Sequence, residues 1–205
     1  LLASTIIYGQ KLEVDGKAKV TEMDTIIGAT ANVVRQSDGT LALRQYKVGD
    51  FDQGGIVFWV DGTGEHGLVA DTADITDFSN QIEWSNGINY KVTNASGDGV
   101  GSGEMNTMLI IAQQTADNTA GTFAALQCTN LIRGSYGDWY LPSKEELNLM
   151  YINLHSSGIG SFQDLDYWSS TEFSGTDAWM QDFINGALRH EVKGNKCSVR
   201  AIRTF

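Results

Sequence analysis

The chain has 205 residues, of which 41 % are hydrophobic and 19 % charged, enough for one large domain or one domain with an appendage and too apolar for wholesale disorder. Its net charge of −11 lies entirely in residues 51–205, because residues 1–50 carry six basic and six acidic side chains. Such a surface disfavours nucleic acid and heparin-like polyanions as ligands, and no apolar run approaches the ~18–20 residues that span a bilayer.

The chain begins Leu1-Leu2-Ala3 rather than with methionine, and is therefore expected to be a processed or partial chain. Residues 1–47 read as a β-rich, stalk-like segment. Lys11–Val14 and Lys17–Val20 alternate around Asp15-Gly16, and Val33-Val34 and Leu41–Leu43 flank Ser37-Asp38-Gly39, both of which are hairpin signals. Large apolar side chains are sparse there, so the segment is expected to pack onto a larger body or to wrap with copies of itself, as a homotrimer or filament.

The character changes after residue 48. Gly55–Val60 and Leu68–Ala70 read as strands joined by the turn-rich Asp61–Gly67, and Ile82–Trp84 as another short strand. A glycine-rich loop covers 94–103, and no Gly-Lys-Ser/Thr follows it, so it is not a phosphate loop. A helix is predicted from about Glu104, with Met105, Met108, Leu109 and Ala112 as its core-facing stripe. A second is predicted over about 119–132, with Phe123, Leu126 and Leu131 as core contacts. Pro142-Ser143-Lys144-Glu145-Glu146 carries the signature of a capping box, and Leu147, Met150, Tyr151 and Leu154 continue it as a helix ending near 154 or 155. The remainder reads as β again: Tyr167–Thr171, then Trp179–Phe183 and Leu188–Val192 across Asn185-Gly186, then Val199–Arg203. Helices flanked by antiparallel strands make an α+β domain over 48–205.

Three motifs then converge. Gly137-Asp138-Trp139-Tyr140-Leu141-Pro142-Ser143-Lys144-Glu145-Glu146, Tyr167-Trp168-Ser169-Ser170-Thr171-Glu172 and the segment from Trp179 to Arg203 together resemble the Lcl C-terminal domain family, which caps certain collagen-like bacterial adhesins. Gly54–Ala70 resembles the opening of the longer members. The resemblance covers 48–205 and implies a C-type-lectin-like fold, a secreted or cell-surface location and a non-catalytic recognition role. Cys128 and Cys197 are 69 residues apart, which leaves two buried thiols or one long-range disulfide open. The resemblance implies the disulfide, since that fold commonly joins its first helix to its last strand.

No nucleophile elbow or catalytic Ser/His/Asp order is visible, and His66, His155 and His190 fall in separate elements. The Glu-Pro-Asn and Trp-Asn-Asp groups of calcium-dependent lectins are missing. Asp61, Glu65, Asp164 and Asp166 are the candidates for holding a hard cation such as Ca²⁺. Of the five tryptophans, Trp59, Trp139 and Trp168 read as core. Trp84 and Trp179, beside polar residues and glycine turns, read as surface platforms for a glycan, with Glu172 nearby as a ligand-binding acid or the partner of Arg200 or Arg203. The leading expectation is an adhesin or fibre tip that binds a glycan or surface receptor. The alternative is a structural subunit or cap of a surface filament or phage or contractile tail fibre, binding mainly protein chains.

Overall fold

A computed structural model describes residues 33–35, 41–75, 79–87 and 90–205, with side chains from residue 44 onward. The chain divides into two compact units, Leu1–Asn32 and Val33–Phe205, and the second holds everything described here. The hairpin expected across Asp15-Gly16 lies outside the described residues.

The described unit is α+β. Strands β1 (Val33–Arg35) and β2 (Leu41–Leu43) pair antiparallel; the turn signal Ser37-Asp38-Gly39 between them lies outside the described residues. Strands β3 (Phe51–Asp52), β4 (Gly55–Val60) and β5 (Gly67–Ala70) follow, then β6 (Ile82–Glu83). Three helices occupy the middle: α1 (Ser102–Asp117), α2 (Ala124–Thr129) and α3 (Lys144–Asn153), the last followed by a 3₁₀ turn at His155–Ser157. Strands β7 (Asp166–Glu172), β8 (Asp177–Asp182), β9 (Leu188–Val192), β10 (Lys196–Cys197) and β11 (Ile202–Thr204) complete the unit. One sheet has the order β11-β5-β4-β3, a second β7-β8-β9, and β10 pairs with β6. The last strand therefore returns to the first sheet. Phe205 exchanges backbone hydrogen bonds with Gly67, and its ring meets Tyr46 edge-on at 4.6 Å between centroids.

Two apolar clusters fill the interior. One gathers Trp84, Trp139, Trp168, Phe123 and Ile110; the other gathers Phe58, Leu147, Met150, Tyr167 and Phe183. Trp139 and Trp168 are core as expected.

Helix α3 starts where the capping box places it. Glu146 N–H donates to Ser143 Oγ at 3.3 Å, and Ser143 N–H donates to Glu146 Oε2 at 2.7 Å. The same carboxyl also closes α1: Gly101, the N-cap of α1 at φ +86°, donates its N–H to Glu146 Oε1 at 2.7 Å. Glu146 is fully buried. Its carboxyl thus satisfies orphan amides at two helix starts and meets the positive end of both dipoles. Gly103 makes the approach possible, because a Cβ there would strike Glu146 Oε2 and lie 2.8 Å from the Leu141 carbonyl oxygen.

Helix α1 reverses the expected orientation. Met105, Met108 and Ala112 of the expected stripe face outward, with Met105 60 % and Met108 54 % exposed, while Leu109 packs against the core in part, as expected. The buried side is Gly103, Asn106, Thr107, Ile110 and Gln114. The reason is hydrogen bonding. Asn106 accepts from Gly97 N–H and donates to Gly97 O, Thr107 Oγ1 accepts from Leu141 N–H, and Gln114 Oε1 accepts from Asn86 N–H. These partners lie in irregular chain whose buried amides have no ladder to join, so the polar face is the one the interior needs. Helix α2 is shorter than expected, while Phe123 is buried and Leu126 and Leu131 pack against the core as expected.

The expected Cys128–Cys197 disulfide does not form; both residues are free, buried thiols. Cys128 lies on the second helix rather than the first, and Cys197 on β10 rather than on the last strand, so neither holds the position of the family pairing. Both fill space in the same apolar cluster, and burial pushes both thiols far above the usual range.

Two outcomes follow from the Glu146 arrangement. Gly103→Ala should lower the unfolding free energy by about 1–3 kcal/mol in denaturant titration, as an overpacked site, whereas an exposed Gly134→Ala control, strained only by its own φ of +61°, should not disturb α1. Burial raises the Glu146 carboxyl above its ordinary 4.5, while the amides of Ser143, Gly101 and Gly103 pull it partly back. A carboxyl raised in the folded state holds its proton longer than in the unfolded chain, so its contribution to stability declines as pH climbs from 4.5 through the folded value. A ¹³C titration of the Glu146 carboxyl should therefore show a midpoint above 4.5. A midpoint below it would mean the amides outweigh desolvation.

Candidate functional site

Beside the start of α3, on the side of the β7-β8-β9 sheet that faces that helix, lies a group of partly exposed aromatic rings. The hairpin register across Asn185-Gly186 sets Trp179 of β8 opposite His190 of β9 and Asp177 opposite Val192. Phe173, just past the end of β7, stacks flat on His190 at 4.0 Å and 4° between planes. It meets Trp179 edge-on at 5.3 Å. Lys144, the first residue of α3, holds its ammonium 4.8 Å from the Trp179 ring centroid. Phe173 is 48 % exposed and Trp179 half-buried.

Polar groups rim these rings. Asp177 Oδ2 lies 2.9 Å from His190 Nδ1 and fixes the imidazole. Lys144 Nζ donates to Asp98 Oδ2 at 2.8 Å, and that ammonium holds the Asp98 carboxyl below the usual range. Ser174 and Thr176 hydroxyls lie 3.2 Å apart on the adjoining turn. Exposed rings edged by hydroxyls, carboxylates and an ammonium are the kind of group on which a sugar ring stacks while its hydroxyls find partners.

Of the residues singled out in the sequence, only Trp179 belongs to this group. Trp84 is fully buried, contrary to expectation: its Nε1 donates to Ser169 O at 2.8 Å, and Lys193 sits 4.7 Å from its ring. Polar flanking residues misled there because Ser85 and Asn86 are themselves buried and hydrogen-bonded. Glu172 lies inside as well. It accepts from the amides of Thr93 and Asn94 and from Lys193 Nζ at 2.5 Å, in place of the expected arginine. Lys193 also donates to Lys91 O and Gly175 O, and burial lowers its ammonium below the ordinary lysine value despite Glu172. Arg200 pairs instead with Asp74 and Arg203 with Asp138.

The four candidate cation ligands are not brought together. Asp61 Oδ1 is occupied by the amides of Thr63 and Gly64 and by the Thr63 hydroxyl in its own turn, next to Glu65. Asp164 lies 3.6 Å from His155. Asp166 is on β7, opposite Asp182. Among the described residues no group of three His, Cys, Asp or Glu side chains is fit to hold a metal ion.

Phe173, His190 and Lys144 join the group without being candidate site residues in the sequence. The signal for His190 was present: counting outward from Asn185-Gly186 pairs it with Trp179. Phe173 and Lys144 reach the group through tertiary packing that periodicity does not encode.

No curated protein matches the chain. Among solved structures, a fimbrial protein from Bacteroides ovatus ATCC 8483 is similar at 17 % identity and a TM-score of 0.46, over 85 % of this chain and 48 % of that one. The chain thus spans about half the length of that protein. No helix among the described residues is long and apolar enough to cross a membrane. The Lcl C-terminal domain matches residues 73–203, a stretch that contains all three helices and both ends of the aromatic face, and the chain belongs to the Lcl C-terminal domain family.

Proposed function

We propose that this protein is a non-catalytic recognition head with a C-type-lectin-like fold, displayed outside the cell on a surface fibre, and that it takes a glycan on the Phe173–His190–Trp179 face. The observation that carries this reading is that face itself. Three rings from β8, β9 and the end of β7 are gathered on an otherwise acidic surface with hydrogen-bonding groups at their edge. Stacking and direct hydrogen bonds suffice there, so recognition does not depend on calcium. Residues 1–47 join the head to its fibre and set its copy number, as a homotrimer or filament. Several weak heads on one stalk then gain strength by avidity. A second reading, a structural subunit of a filament or tail fibre, draws on the outward apolar stripe of α1.

The glycan reading makes two measurable claims. On a glycan array followed by calorimetry, Phe173→Ala and Trp179→Ala should each weaken binding by about tenfold or more, the loss of a stacking partner worth roughly 1–1.5 kcal/mol, with the fold intact by circular dichroism. An unchanged array profile for both folded variants would remove the site. Adding a chelator should leave wild-type binding unaltered, and a chelator-sensitive profile would point to a cation site elsewhere.

A further inference from the structure

We infer that α1 is a self-association surface, on which two copies of this chain pack their α1 helices antiparallel about a two-fold axis through the stripe Met105–Met108–Ala112–Ala116. The inference is independent of the glycan site, which lies on another element.

The stripe is uncharged along its length. From Met105 to Ala116 the sequence contains no Asp, Glu, Lys or Arg, although the chain carries a net charge of −11. Two copies approaching by an acidic face repel each other; this face lets them approach without that cost. It is also outward by construction. The opposite side of α1 is anchored through Asn106, Thr107 and Gln114 to Gly97, Leu141 and Asn86, so the helix cannot roll to bury its methionines.

The order of side chains favours one partner. The large residues, Met105 and Met108, occupy the N-terminal half of the stripe, and the small ones, Ala112 and Ala116, the C-terminal half. Two copies placed antiparallel set each methionine of one helix over an alanine or its neighbour in the other. A two-fold contact requires this self-complementarity. A parallel pairing would instead set methionine on methionine and leave alanine facing alanine. The antiparallel arrangement also brings the exposed Glu104 of one copy to the end of the other helix, where Lys91 pairs with Asp117 and remains 53 % exposed. The ammonium then lies between two carboxylates of opposite copies. A single helix face offers on the order of a few hundred Å², below the roughly 800 Å² per partner of a standard stable interface. The contact is therefore weak between free molecules and tells where many copies are crowded together.

The test uses the full chain with two introduced cysteines, Met105→Cys and Ala116→Cys. Within one helix these positions are about 16 Å apart, too far for a short bifunctional maleimide, and the native thiols are buried. An antiparallel pair places Cys at 105 of one copy beside Cys at 116 of the other. Mixing the two single variants should give a cross-linked dimer well above the yield of either single variant alone, and the double variant should cross-link most of all. Wild-type sedimentation should show the weight-average mass rising with concentration, and Met108→Asp should abolish the rise. A yield from either single variant alone as high as that of the mixture would overturn the antiparallel arrangement. A monomer at every concentration with no cross-linked dimer would overturn the inference; unreactive introduced cysteines in that monomer would assign the stripe to another segment of the same chain.

Discussion

The buried carboxyl of Glu146 is the point on which the described unit turns. A glycine-rich segment and two helix starts converge in the interior, and each brings amides with no ladder to join. One side chain answers several of them: Ser143 on its own helix and Gly101 on the neighbouring one. Removing water from a carboxyl is costly, and two helix dipoles with convergent N–H donors offset that cost. Gly103 is small because the oxygen must come close, and α1 runs where it does because its first turn is pinned there. The identities of Gly103 and Glu146, far apart in the sequence, follow from one act of desolvation.

The local rules were legible and the tertiary ones were not. The capping box at Ser143, the strand at Gly55–Val60 and the hairpin at Asn185-Gly186 depend on neighbours within a few residues, so they could be read directly. Apolar periodicity located α1 but pointed it the wrong way. A stripe says that a helix has two faces; it does not say which one the interior prefers when irregular backbone nearby needs donors and acceptors. Trp84 departs from expectation by the same logic, since its polar neighbours Ser85 and Asn86 are not solvated but are buried partners of Lys193 and Gln114. The cysteines were placed by analogy with a fold, and the elements that carry them are not the ones the analogy needs. Of the site, Trp179 could be seen in advance, and its companions required the fold.

Charge is disposed in a pattern that bears on recognition. Cations among the described residues are largely committed to carboxylates: Arg133 to Asp71, Arg200 to Asp74, Arg203 to Asp138, Lys193 to Glu172 and Lys144 to Asp98. Several of these are interior or half-interior staples between distant segments, whose value lies in geometry as much as in attraction. Arg200 also lies 4.0 Å from the Phe162 ring centroid and Arg203 4.1 Å from that of Tyr136. With that positive charge so used, the outer side of α1, which has no charged residue from Met105 to Ala116, and the aromatic rings of β8 and β9 stand out among the described residues of an acidic chain. Those two areas are where encounters are not opposed by long-range repulsion.

The meeting of Tyr46 with Phe205 has a topological consequence. The segment leading into the first sheet and the residue that closes the last strand sit side by side, joined by ring contact and by the bonds of Phe205 to Gly67. The body between them is a closed excursion that leaves from one spot and comes back to it. Such a unit can be grafted into a loop of another protein, or permuted so that a different turn becomes its opening, without stretching its interior.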